Sequence, residues 1–145
     1  MTKIILSILF PIILFADDFN PMSGRNEMME TSTATKRWGN EKFTVEKFKK
    51  ATISERAKMA ADLVSSSALV GKTNSEIKTL LGPYTGHYWS RRIPAYLIEE
   101  GWKTHKDSWQ LVFFLDQTDK VTSVKIHKNC CYSTEDHSDR KPSDK

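Results

Sequence analysis

The chain is 145 residues long and has only two cysteines, the neighbours Cys130 and Cys131. One long intrachain bridge is therefore excluded. A bond between them would join Cα atoms about 3.8 Å apart, closer than the roughly 4.4 Å at which disulfides begin. A strained vicinal disulfide, pairing with another molecule and two free thiols all stay open. The Cys-x-x-Cys spacing of thiol oxidoreductases is missing. So are the Gly-x-Ser-x-Gly elbow and the phosphate-binding loop, and no internal repeat is visible. No apolar run approaches the roughly 20 residues that cross a bilayer. Charge of one sign is also scarce: 22 Lys and Arg face 18 Asp and Glu, a formal net charge of +4. Nucleic-acid binders concentrate far more positive charge on one face, so nucleic acid is not expected as a partner. The run Lys47, Lys49, Lys50, Arg56, Lys58 is broken by Glu46 and Glu55 and reads as a solvated helix face.

What is present begins at the first residue. Lys3 supplies a positive charge, Ile4 to Phe15 is apolar apart from Ser7 and Pro11, and Ala16 precedes Asp17-Asp18. A charged start, a short apolar core and a small residue at a cut describe a signal peptide, residues 1–16. A lipid anchor needs a Cys at the cut, where Asp17 stands. The expected product is exported, periplasmic or outer-membrane associated, without a lipid anchor and without a transmembrane segment after signal removal. Residues 17–40 are polar, without apolar period, and read as a flexible leader. Residues 132–145 read as a disordered polar tail, which leaves a domain over 41–131.

Within that domain Thr44 caps a short helix through Ala51 that buries Val45 and Phe48. Thr52-Ile53-Ser54-Glu55 fits a capping box, in which an N-cap hydroxyl and a carboxylate three residues later satisfy each other's backbone N–H groups. Met59, Ala60, Leu63 and Val64 follow on one face, and Ser65–Ser67 ends the helix. Thr73-Asn74-Ser75-Glu76 repeats the box ahead of Ile77, Leu80 and Leu81, and Gly82-Pro83 stops that helix. Strands are expected at Ala95–Ile98, Trp109–Leu115 and Val121–Ile126. The middle one is apolar on both faces and therefore central. On the last strand Thr122, Val124 and Ile126 share one face. The fold class is α+β: two layers, N-terminal helices on a three-stranded antiparallel meander.

The segment Leu69 to Pro83, with Gly71-Lys72-Thr73, Glu76-Ile77 and Leu80-Leu81-Gly82-Pro83, resembles the helix of BamE-like (SmpA/OmlA) cell-envelope domains. Trp109–Asp116 and Lys120–Ile126 resemble that family's second and third strands, and Ala95–Trp102 is similar to the Tyr-rich strand and Gly-containing loop of some members. The resemblance covers about Arg56 to His127. It implies a fold of helices and three strands, and a role alongside outer-membrane β-barrel assembly; the family's lipid-anchor Cys has no counterpart here. A similar architecture in secreted β-lactamase-inhibitor-like domains implies a second role, enzyme inhibition through loop aromatics such as Trp102.

No residue cluster amounts to a catalytic site, so a non-enzymatic protein with no cofactor and no metal is expected. Trp89, Arg91, Arg92 and Trp102 are the residue types favoured at binding hot spots. They form the candidate surface for another envelope protein. Cys130 and Cys131 are the candidate disulfide. With His127 and His137 they also make a thiol or metal centre the remaining alternative, although the spacing matches no paired zinc-ligand motif.

Overall fold

Two capping boxes set the starts of two of the helices. The computed structural model describes residues 27–88, 90–101 and 107–129. In it β1 is Met28–Met29, α1 Thr31–Trp38, α2 Val45–Lys50, α3 Ile53–Ser66, α4 Asn74–Leu81, β2 Ala95–Glu99, β3 Ser108–Leu115 and β4 Val121–Asn129. At α3 the Thr52 N–H donates to the Glu55 carboxylate at 2.7 Å, and the Glu55 N–H donates to Thr52 Oγ1 at 3.4 Å. At α4 the Thr73 N–H donates to Glu76 at 2.7 Å and the Glu76 N–H to Thr73 Oγ1 at 3.2 Å. Each box satisfies backbone donors that a helix start leaves without partners. The α4 helix stops at Gly82, whose φ of +90° suits glycine and strains any other residue. Pro83 then has no N–H to continue the ladder.

The sheet has the order β1-β4-β3-β2 and every pairing is antiparallel. The expected α+β class holds among the described residues, but with four strands and four helices where three strands and two longer helices were expected. The fourth strand comes from the stretch read as flexible leader. Met28 and Met29 pair with His127 and Ile126 on the outer edge of β4. Thr31–Trp38 then forms α1, which buries Ala34 and half-buries Trp38 one turn later. The capped helix of Thr44 is α2, with Phe48 fully buried.

One face of the sheet carries the main core. Tyr96, Ile98, Leu111, Phe113, Val124 and Ile126 pack there beneath Met59, Ala60 and Leu63 of α3, which also packs on α1. Thr122, expected to share a face with Val124 and Ile126, is exposed while they are buried, and after a register shift at Phe114/Leu115 it is Val121 that is buried. Rings interlock edge to face along the core, Phe43 on Phe48, Phe48 on Tyr96 and Tyr96 on Phe113, with centroids 5.7 to 5.8 Å apart, the favoured aromatic geometry. Arg56, read as solvated, is only 9% exposed. It lies on the inner stripe of α3 beside Ala57 and Ala60, and its guanidinium rests 5.1 Å from the Phe48 ring centroid and 5.8 Å from that of Tyr96.

The second face is also covered. Ala95, Leu97 and Val112 are buried there, together with Gln110 and His127, which stand opposite each other. Residues 84–88 cross this face. The Thr85 and Gly86 N–H groups donate to the Ala95 carbonyl, and Tyr88 sets its ring edge against Phe114 and His127.

Candidate functional site

Among the described residues a concavity lies at the C-terminal end of β2, the edge strand, where α1 and the start of α3 come together. It is a cleft of about 540 Å³, within the size range of ligand pockets. Its apolar wall comes from Trp38, Ile53, Ala57 and Ile98, and Glu99 and Glu100 line its end. Each is placed by a regular element. Ile53 and Ala57 are one turn apart on α3, so the capping box that fixes the helix start also fixes the wall. Ile98 points to the helix side of β2 because the pleat alternates. Trp38 closes α1.

Glu99 holds this corner together. Trp38 Nε1–H donates to Glu99 Oε2 at 2.6 Å and Arg37 Nε–H donates to the same oxygen at 3.2 Å. The Arg37 guanidinium also pairs with the other oxygen, Oε1. That guanidinium lies 5.4 Å from the centroid of the Trp38 ring, within cation–π reach. The corner therefore already carries one guanidinium on a Trp–Glu clamp. Among the described residues the charged side chains lining the cleft are Glu99 and Glu100.

A second recess of about 340 Å³ lies between α2 and α3, lined by Lys47, Lys50, Lys58, Glu41 and Glu55 among others. Its acids are engaged, Glu41 with Lys47 at 3.1 Å and Glu55 in the capping box. Those backbone and hydroxyl bonds to Thr52 hold the Glu55 carboxyl below its usual range.

Two residues of the expected contact patch are described, and two are not. Arg91 and Arg92 lie in the turn before β2, and Trp89 and Trp102 fall outside the described residues. Arg92 donates from Nε to Asp119 at 2.9 Å, and its carbonyl accepts from Asn74 Nδ2 at 2.5 Å. It thus ties the start of β2 to the β3–β4 turn and to α4. The cleft is at the other end of the strand. Cys130, Cys131, His137 and residues 1–16 likewise fall outside the described residues. His127 is 2% exposed beneath Tyr88. Its Nδ1 lies 2.6 Å from the Lys128 carbonyl, and a carbonyl only accepts, so Nδ1 carries the proton. Among the described residues no group of three or more His, Cys, Asp or Glu is gathered as a metal site, and no helix is long and apolar enough to cross a membrane.

Sequence reasoning missed the cleft for an identifiable reason. Trp38 falls in the stretch that reads as leader, and Glu99 and Glu100 lie just past the expected strand Ala95–Ile98. The one available signal was Trp38 four residues after Ala34, a single helical turn. No family model matches the chain, and neither a curated protein nor a solved structure shows significant similarity to it.

Proposed function

We propose that this chain is an exported, non-enzymatic interaction module of the cell envelope that binds another protein. The observation that carries the reading is the apolar cleft at the open end of β2. It is built from helix and strand positions and lined by Trp38, Ile53, Ala57 and Ile98. Rigid elements presenting an aromatic anchor beside a polar rim suit protein recognition. Export rests on the charged start, short apolar core and Ala16-Asp17 junction. Support for outer-membrane protein assembly, the role the BamE-like resemblance implies, is the finer form of the proposal.

The test is crosslinking of the tagged chain in its native envelope, with the mature N-terminus sequenced in the same preparation. The reading requires a start at Asp17 and a defined crosslinked protein that is lost in Ile53→Ser. β-Barrel assembly components among the crosslinks support the finer form. A cytoplasmic chain retaining Met1, or crosslinks unchanged in Ile53→Ser, overturns the reading.

A further inference from the structure

We propose that Met29 is an oxidation site that latches the edge of the sheet: conversion of its thioether to the sulfoxide by a peroxide releases β1 from β4. The latch is separate from the cleft and from the interaction reading above. Both residues of β1 are methionine, and the pleat turns them opposite ways. Met28 stands across from His127 and is 55% exposed. Met29 stands across from Ile126, is half-buried and packs against the main core. Met59, the third methionine among the described residues, is buried on α3. Access therefore sets the order of attack: Met28, then Met29, then Met59.

The reaction needs only the sulfur and the oxidant. The peroxide O–O bond breaks, one oxygen bonds to the sulfur, which is oxidised by two electrons, and the other oxygen leaves as water. The product is a polar group where an apolar one stood. On Met28 that group points to water and nothing in the fold has to move. On Met29 it lies against Ile126 and the core cluster, where a polar oxygen without a donor is unfavourable. One buried donor on that face has no hydrogen-bond partner, the Trp109 indole N–H. Trp109 is on β3, however, and β4 lies between it and β1.

The backbone hold on β4 is small enough for one side chain to decide it. Two residues pair, at His127 and Ile126. Beside them the Lys128 N–H donates to the Glu27 carbonyl at 2.8 Å. The Glu27 carboxylate is 3.1 Å from Lys128 Nζ, but that ammonium is shared with Asp107 at 2.8 Å, and exposed ion pairs hold little. Release bares the outer edge of β4, and an open strand edge is a template for pairing with another chain. Reduction of the sulfoxide by methionine sulfoxide reductases closes it again.

The test treats the full chain and two variants, Met28→Leu and Met29→Leu, with hydrogen peroxide. Leucine for methionine conserves volume and keeps the packing. Peptide mass mapping follows each methionine, and NMR follows hydrogen exchange of the Lys128 amide before and after treatment. In Met28→Leu, oxidation of Met29 is expected to speed that exchange at least about tenfold, a factor that one unpartnered polar group in an apolar site supplies. In Met29→Leu the exchange is expected to stay unchanged while Met28 oxidises. Added methionine sulfoxide reductases restore slow exchange. Unchanged exchange with Met29 fully oxidised, equal acceleration in Met29→Leu, or oxidation of Met29 no faster than that of Met59 overturns the proposal. So does a shifted Trp109 indole N–H resonance with Lys128 still protected, which would show the sulfoxide accommodated in the fold.

Discussion

Trp38 and Glu99, 61 residues apart in sequence, meet through an indole N–H···carboxylate hydrogen bond of 2.6 Å. The bond fastens the end of α1 to the edge strand and so sets the width of the cleft mouth. Trp38→Phe keeps most of the ring packing and removes the donor. Hydrogen bonds to charged acceptors are worth about 1.5–3 kcal/mol, and partial exposure with Arg37 still in place lowers that. The expected loss is about 1 kcal/mol, read from a urea midpoint at unchanged slope. A loss near zero would mean that α1 is held by packing alone.

Arg56 gives a prediction in which size matters more than charge. Its guanidinium is buried against Phe48 and Tyr96, donating to the Phe48 carbonyl and to Thr85 Oγ1, both at 3.3 Å. Desolvation lowers its pKa, a sign that burial works against the cation. Replacing a buried charge by an apolar chain of similar volume is often neutral, so Arg56→Met is expected to change stability by less than about 1 kcal/mol. Arg56→Ala leaves a void beside two rings and is expected to cost about 2–4 kcal/mol, by analogy with other large-to-small core changes. Chemical denaturation of the pair separates the two contributions. Equal losses would show that the charge itself holds the site.

Tyr96 predicts the alkaline limit of stability. Its hydroxyl donates to the Gly82 carbonyl at 2.8 Å and the side chain is fully buried. Burial raises its pKa well above the ordinary 10, the nearby Tyr84 adds to the rise, and Arg56 opposes it. The folded state therefore keeps a proton that the unfolded chain releases near pH 10. Stability from this group is complete below about pH 10 and falls as pH rises toward the folded pKa, by up to about 1.4 kcal/mol per pH unit. Unfolding free energies measured between pH 9 and 11.5 should show this decline, and Tyr96→Phe should remove most of it. An unchanged slope in Tyr96→Phe would place the titration elsewhere.

What could be read from the sequence was local. Thr52/Glu55 and Thr73/Glu76 announce helix starts because each box closes within four residues. The alternation from Trp109 to Leu115 announces an interior strand. The two-residue β1 carries no period, and only its pairing with Ile126 and His127 across the chain makes it a strand. Arg56 looks like one more surface cation among lysines, and the rings that bury it come from α2 and β2. The cleft was invisible for the same reason. Its wall joins positions 38, 53, 57 and 98, which no spacing rule connects. Arg91 and Arg92 were legible as a pair, but the ion pair of Arg92 with Asp119 gives it a structural role at the far end of β2.

The second face of the sheet depends on Gly86. An added Cβ there would run into Gln110 Oε1 and come within 3.2 Å of the Ala95 carbonyl carbon. Gln110 cannot simply swing away. Its Oε1 accepts from the His87 N–H at 3.0 Å and its Nε2 donates to the His87 carbonyl at 2.8 Å, and the side chain is buried on β3. Gly86→Ala is therefore expected to lift residues 84–88 off the sheet at a cost of about 1–3 kcal/mol, the usual range for overpacking. Tyr88 should lose its edge contacts with His127 and Phe114, visible as loss of ring-current shifts on the His127 protons. Gln110→Ala in the same chain opens space for the new methyl group, so the double variant should cost less than the sum of the two single changes. Strict additivity would show that the strain is carried by the Ala95 backbone rather than by Gln110.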